Sequence, residues 1–413
     1  MSSSMTDFQV AAILISLTAG LAYVNARVLR LPSAIGLMAT ALLGSVIVLV
    51  LDGLAITEVA PRVTALLDQV NLSYALLHGM LGIMLFAGAL HVDLSDLREF
   101  RIPITVLAIV GTAISTAVVG GVSYFALGLL GLDVPFAHCL LFGALISPTD
   151  PIAVLGILKA AKAPKSLEVT ITGESLFNDG VGVVFFLAIL GVAAGEEVSA
   201  GSIARLFVQE AIGGAVFGLV VGYVGFRLLR SIDQYSVEIL ITLAMVLGGF
   251  VAAEALHVSA PIAAVAAGLL IGNQGRALAM SDTTRDHLDT FWELIDEILN
   301  AVLFLLIGLE VVHLRLTLEL VVAAAIMIPL VLAARWISVA IPLAGMPAFR
   351  RQAKGAIALL SWGGLRGGIS VALALSLPNG PERNTILVIT YCIVVFSILV
   401  QGTTLGRLVR RFA

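Results

Sequence analysis

Between residues 8 and 408 the chain passes thirteen times through apolar stretches of roughly 17 to 25 residues, separated by short polar connections. At about 1.5 Å of rise per residue, one such stretch in helical form matches a hydrocarbon layer about 30 Å thick. Within that layer every backbone N–H and C=O must find its partner inside the protein, which leaves helices for segments of this length. The approximate extents are 8–25, 34–51, 72–90, 103–129, 137–158, 169–193, 208–226, 236–253, 257–273, 291–311, 318–342, 355–377 and 387–408. The division near Glu254 and His257 is the least marked. Composition agrees: 60% of the 413 residues are hydrophobic and 12% charged, about half the charge of a soluble chain, and mean hydropathy is +1.08. The expected fold is an all-α polytopic membrane protein, with residues 1–413 as one transmembrane domain and no separate soluble domain. The start, MSSSMTDFQV, has no basic region ahead of the first apolar run, so that run reads as a mature span.

Charge placement tests the number of spans independently. Arg27, Arg30, Arg98, Arg101, Lys159, Lys162, Lys165, Arg227, Arg230, Arg276, Arg285, Arg350, Arg351, Lys354, Arg407, Arg410 and Arg411 fall in alternate connections and the C-terminal tail. The other connections hold only Arg62, Arg205, Arg315 and Arg383. One missed or invented helix would scramble this alternation. An odd count follows, with the C-terminus in the cytoplasm and the N-terminus outside. The connections leave no room for a nucleotide-binding loop, which argues against an ATP-driven pump, and no basic patch with interleaved aromatics points to nucleic acid. Cys139 and Cys392 sit in apolar runs and read as small core residues.

Two spans are interrupted. In CLLFGALISPTDPIAVLGIL, Pro148 and Pro151 flank Thr149 and Asp150; two prolines within four residues break a helix. In AIALLSWGGLRGGISVALAL, Gly363, Gly364, Gly367 and Gly368 surround Arg366, loosening the helix and admitting another backbone. Unwound backbone at membrane depth is tolerated where it lines a cavity, and paired breaks in corresponding halves mark the substrate site of secondary transporters built from inverted repeats. Half-helix ends carry partial charges, which Asp150 and Arg366 are suited to neutralise. A charge at bilayer centre costs about 2.5–3.5 kcal/mol even on lenient scales, so such residues have a use.

The sixth span contains ESLFND, residues 174–179. Glu174 and Asn178 are i,i+4 and share a face; Ser175 stands in the same relation to Asp179. Glu174 can be held as the partner of Arg366, leaving Asp179 with no fixed countercharge and able to take either a small cation or a proton. Desolvation favours the protonated form of a carboxyl, so a proton and a dehydrated cation compete for one group. Asp179, Ser175, Thr149 and a water supply the hard oxygens that Na+ or Li+ wants. The other charged residues have plainer readings: Glu293, Asp296, Glu297 and Glu310 as interfacial or packing groups, Asn300 as a packing residue, Arg335 as a side chain snorkelling towards the cytoplasm. His78, His91, His138, His257, His287 and His313 show no metal-ligand spacing. GNQGR, 272–276, reads as a helix end and turn.

SPTDP at 147–151, ESLFND at 174–179, FWELIDEILNAVLFLLIGLE at 291–310 and GGLRGG at 363–368 together resemble the bacterial sodium/proton exchangers of the monovalent cation:proton antiporter family. The resemblance implies a core bundle including 72–193 and 291–408, with two crossed interrupted helices, beside a dimerisation domain. It implies Asp179 as the carboxylate of the transported ion with Asn178 beside it, Thr149 and Ser175 as ligands of Na+, a Glu174–Arg366 ion pair, and Asp150 as the neutraliser of helix ends. The Asn178–Asp179 pair is similar to the electroneutral branch. Ala87, in MLFAGAL, stands where some members carry an acid, so a second acid there is missing. The expected activity is secondary active exchange of Na+, or Li+, for H+ by alternating access, with K+/H+ exchange and a channel-like conductance as alternatives. A homodimer in a bacterial inner membrane, without cofactor or nucleotide, completes the expectation.

Overall fold

The computed structural model describes residues 6–57, 59–161, 163–195, 200–347, 349 and 355–412. Lys162, Arg350, Arg351 and Lys354 of the basic connections lie outside the described residues. Among the described residues ten helices are long and apolar enough to cross a membrane: α1 (Phe8–Leu29), α2 (Ser33–Gly53), α3 (Leu72–Leu90), α4 (Arg101–Leu129), α7 (Lys165–Ala193), α8 (Arg205–Leu229), α9 (Tyr235–Ala255), α10 (Ala260–Ala279), α12 (Leu318–Ala344) and α15 (Pro381–Phe412). Three further passes complete the thirteen. Two are the interrupted ones, α5 (Phe136–Ile146) with α6 (Ile152–Ala160), and α13 (Ala356–Trp362) with α14 (Gly368–Leu375). The third is α11 (Asp282–Glu310).

The start of α11 lies nine residues before the apolar run at 291. Its first turns, DTTRDHLDT, are polar, so hydropathy cannot see them, yet Ser281 caps them by accepting the Thr284 N–H at 3.3 Å. The 29 residues make a rod about 43 Å long. The weakly marked division near Glu254 is a real one: α9 ends at Ala255, and His257 takes a left-handed conformation with φ 53° before α10 begins.

Small residues set how closely α8 and α10 approach. Gly214, Gly218 and Gly222 recur every fourth residue along α8 and meet the α10 side. A Cβ on Gly218 would overlap the Ala263 carbonyl, and one on Gly214 would lie 2.6 Å from the Ser259 carbonyl. This is the close backbone contact that apolar surroundings favour, since lipid offers no hydrophobic drive between helices.

The two interrupted passes cross. Residues 147–151 and 363–367 leave the helical path, and the Asp150 N–H donates to the Leu365 carbonyl at 2.8 Å. The helix α7 passes beside the crossing, where Pro148 nests against Gly182, a place that a Cβ would fill. Around it lies the largest cluster of buried apolar residues, drawn from α2, α3, α5, α11, α12, α14 and α15.

Candidate functional site

At the crossing two helices end in the interior, and each C-terminus exposes carbonyls with no partner in its own helix. An arginine meets each one. Arg366, from the break between α13 and α14, donates through Nη1 to the carbonyls of Ser147 and Pro148 at 2.5 and 3.1 Å, just past the end of α5. Its own N–H is held by Ser397 Oγ at 2.9 Å. Arg335, from the middle of α12, donates through Nη2 to the Leu360 carbonyl in the last turn of α13 at 3.1 Å. A Cβ on Gly364 would lie 2.6 Å from Arg335 Nε, so the glycine makes room for the guanidinium. Positive charge is favourable at both places because helix C-termini are partially negative.

The partner of Glu174 is therefore Arg335, which corrects the expected Glu174–Arg366 pair. The guanidinium grips the carboxylate with two bonds, Nη1 to Oε1 at 2.5 Å and Nη2 to Oε2 at 3.0 Å, with both side chains buried. The physical reason is competition: the carbonyls past α5 engage Arg366, while α12 brings a second arginine against α7. Arg335 does not snorkel, since it is 4% exposed. Its position near the middle of a 27-residue apolar helix was the signal, because only residues near an end can reach water.

Asp150 lies against Gly367, the residue that precedes α14, so closely that a Cβ there would overlap its carboxylate. It also stands two residues before α6, which brings a negative charge to the partially positive N-termini of both half-helices.

The sequence-derived ligands converge on α7 and the first break. Thr149 Oγ1 and Ser175 Oγ are 2.8 Å apart. Asn178 faces Thr149 with both ends of its amide: Nδ2 donates to Thr149 Oγ1 at 2.9 Å, and Oδ1 accepts the Thr149 N–H at 3.3 Å. In this conformation Asn178 braces the unwound segment. Asp179 is 4% exposed, and its Oδ1 has no hydrogen-bond partner. Thr149, Asp150 and Asp179 line a cavity of about 630 Å³ that reaches the connection at 91–96 and the start of α7 at Lys165 and Glu168. Among the described residues no cluster of His, Cys, Asp and Glu forms a metal centre.

Asp296, read as interfacial or packing, lines the same cavity together with Glu293 and Glu297. The signal was periodicity: 293, 296, 297 and 300 fall on one face of α11.

A second cavity, of about 540 Å³, opens towards the opposite connections and is lined by Asp68, Glu310, His313 and Arg315 among others. Between the two cavities α11 runs from Leu303 to Glu310 and α14 from Ser370 to Leu375. At 1.5 Å per residue the separation along these two helices is roughly 7 to 10 Å, and along α3, where Ser73 lines one cavity and Leu76 the other, about 4.5 Å. The separation along α11 and α14 is filled by Phe304, Leu305, Leu306, Ile307, Val371, Ala372, Leu373 and Ala374, all at 2% exposure or less. In the second cavity the imidazole of His313 lies 3.6 Å from Glu310 and 3.3 Å from Asp68. The carboxylate of Glu310 beside the ring, and then that of Asp68, raise its pKa above the ordinary 6.5 against the opposing effect of burial. A raised histidine pKa contributes stability that is complete below the unfolded value and fades as pH climbs through the folded one. His313→Gln is therefore expected to lower the midpoint of thermal unfolding at pH 6, by the equivalent of about 0.5 kcal/mol for so exposed a pair, and to leave it unchanged at pH 9. Thermal scans at the two pH values check this.

A family model described as "Sodium/hydrogen exchanger, transmembrane" matches residues 13–411. The chain is 55% identical over 405 residues to the Na(+)/H(+) antiporter NhaP of Pseudomonas aeruginosa, covering 97% of this chain and 96% of that protein. It is 39% identical over 311 residues to the Na(+)/H(+) antiporter NhaH of Halobacillus dabanensis, with 74% and 75% covered. Among solved structures, the sodium proton antiporter MjNhaP1 of Methanocaldococcus jannaschii at pH 8 superposes with a TM-score of 0.77 over 98% of this chain and 99% of that one, at 17% identity.

Proposed function

The chain belongs to the sodium/hydrogen exchanger family, and from that premise we propose that Asp179 is the carboxylate on which Na+ and H+ replace one another. The protein is a multi-pass Na+/H+ antiporter; the relatives are sodium antiporters, which puts the K+/H+ alternative behind. The observation that carries the assignment to Asp179 is a buried carboxylate oxygen with no partner, on the wall of a cavity that reaches the polar edge of the protein.

Thr149 and Ser175, bonded to each other beside Asp179, supply further oxygens to a cation that has shed water, and Asn178 holds the unwound segment carrying Thr149 in place. Li+, equally hard and smaller, fits the same donors. The surrounding fixed charges cancel: Arg335 and Arg366 against Glu174 and Asp150. Asp179 then has a single charge to be balanced by one Na+ or one H+, which supports electroneutral 1:1 exchange. The partition of packed α11 and α14 residues supports alternating access over a continuous conductance, because ions cannot cross packed apolar side chains without a rearrangement.

The alternation of basic connections supports an orientation with the N-terminus outside and the C-terminus in the cytoplasm of a bacterial inner membrane. In that orientation the cavity at Asp179 faces the cytoplasm. The homodimer implied by the resemblance belongs to the same proposal.

The test is purified protein in liposomes containing a pH-sensitive dye, with Na+, Li+, K+ or choline added outside. Na+ and Li+ are expected to drive saturable proton movement, and an imposed membrane potential to leave the equilibrium ratio unchanged. Proton flux of equal size with choline would defeat exchange, and a ratio that follows the potential would defeat 1:1 coupling.

A further inference from the structure

The cavity that ends at Asp179 holds a second carboxylate with an unpartnered oxygen. Asp296 stands on its wall from α11, a helix remote in sequence from α7, and its Oδ1 is buried without a hydrogen-bond partner. One turn deeper, Asn300 is 5% exposed, and its Oδ1 is likewise buried and unpartnered while its amide donates to the Asp296 carbonyl at 2.8 Å. Two orphaned acceptor oxygens on consecutive turns of one face are costly, since a buried polar atom without a partner loses its hydration and gains nothing in return. No basic side chain forms an ion pair with Asp296 among the described residues, unlike Glu174, which Arg335 holds. Asp96 at the cavity mouth is also engaged, by Lys165 Nζ at 2.8 Å. A carboxylate on the cavity wall with an acceptor that has no donor suits a cation.

The helix α11 descends from the polar edge at Asp282 towards the partition at Phe304. Asp296 is reached two turns before Leu303, which packs against Gly368 at the crossing. It thus lies on the way from the mouth to Asp179.

We propose that Asp296, with Asn300, forms a second and transient site for an alkali cation, which partly dehydrates Na+ before it reaches Asp179. The inference rests on the reading of Asp179 as the exchange site. Asp296 positions and concentrates the cation, and Asp179 alone couples it to the proton.

The experiment uses the full chain in the liposome assay and, separately, Na+-dependent thermal protection of the purified protein. Asp296→Asn is expected to raise the KM for Na+ about tenfold, the effect of losing 1.4 kcal/mol of binding, with the maximal rate retained and Asp296→Glu recovering most of the loss. In an Asp179→Asn background, Na+ is expected still to raise the unfolding temperature relative to choline, and the added Asp296→Asn to remove that protection. A KM within twofold of the parent overturns the proposal, as does loss of maximal rate in a folded Asp296→Asn protein. Protection that persists in the double variant overturns it too, as does its absence in Asp179→Asn alone. Retained exchange in Asp179→Asn would instead sink the assignment of Asp179, so the two readings fail separately.

Discussion

Replacing Asp179 by Asn is expected to leave a folded protein whose Na+-driven proton movement falls to that of empty liposomes. The substitution keeps size and shape, and Oδ1 has no hydrogen-bond partner to lose, so the penalty of a stranded polar group is avoided. What disappears is the ability to bear a charge or a proton. An amide in that place can still touch a cation but cannot compensate its charge in a buried site, where the compensation matters most. The informative pair of measurements is exchange rate and unfolding temperature on one preparation. Full exchange with an Asn at 179 would remove the mechanism, whereas a collapse of both would make the residue structural.

The second large effect is on folding. Glu174→Ala and Arg335→Ala are each expected to cost about 3–5 kcal/mol, the range for breaking a buried pair and leaving one charge behind. Arg335 would suffer a double loss, because its guanidinium also serves the Leu360 carbonyl at the end of α13. The cycle of single and double variants, read as unfolding free energy in detergent, should show strong coupling between Glu174 and Arg335. The corresponding cycle between Glu174 and Arg366 should show much weaker coupling, since Arg366 is engaged with the carbonyls of Ser147 and Pro148. Equal coupling in both cycles would contradict the pairing. Arg366→Ala by itself remains damaging through those orphaned carbonyls and not through Glu174.

These two results would separate two kinds of charge in one small volume. Glu174, Arg335, Arg366 and Asp150 are tied to helix ends and to each other, and they hold the crossing together. Asp179 stands on the cavity wall with an oxygen that has no partner. A chain can keep such charges inside an apolar body only if the fixed ones are compensated, and a carboxylate left without a fixed partner is then free to change partners.

The number of passes, the interruptions at 147–151 and 363–367, and the gathering of Thr149, Ser175, Asn178 and Asp179 were all readable in the residues. All but the last are local properties: an apolar run must be long enough to span, and prolines and glycines break the helix they sit in; residues four apart put Ser175 and Asp179 on one face, while the place of Thr149 beside them, 26 positions away, came from the resemblance. Which arginine meets Glu174, and that Asp296 reaches the cavity of Asp179, were decided by the tertiary structure. Arg335 and Glu174 are 161 positions apart, and whether they meet depends on which helices are neighbours, how each is rotated about its axis and at what depth it sits. Each residue turns a helix by about 100°, so a small rotation sends a side chain to lipid, to a partner or into the cavity, and no pattern within one helix records that choice.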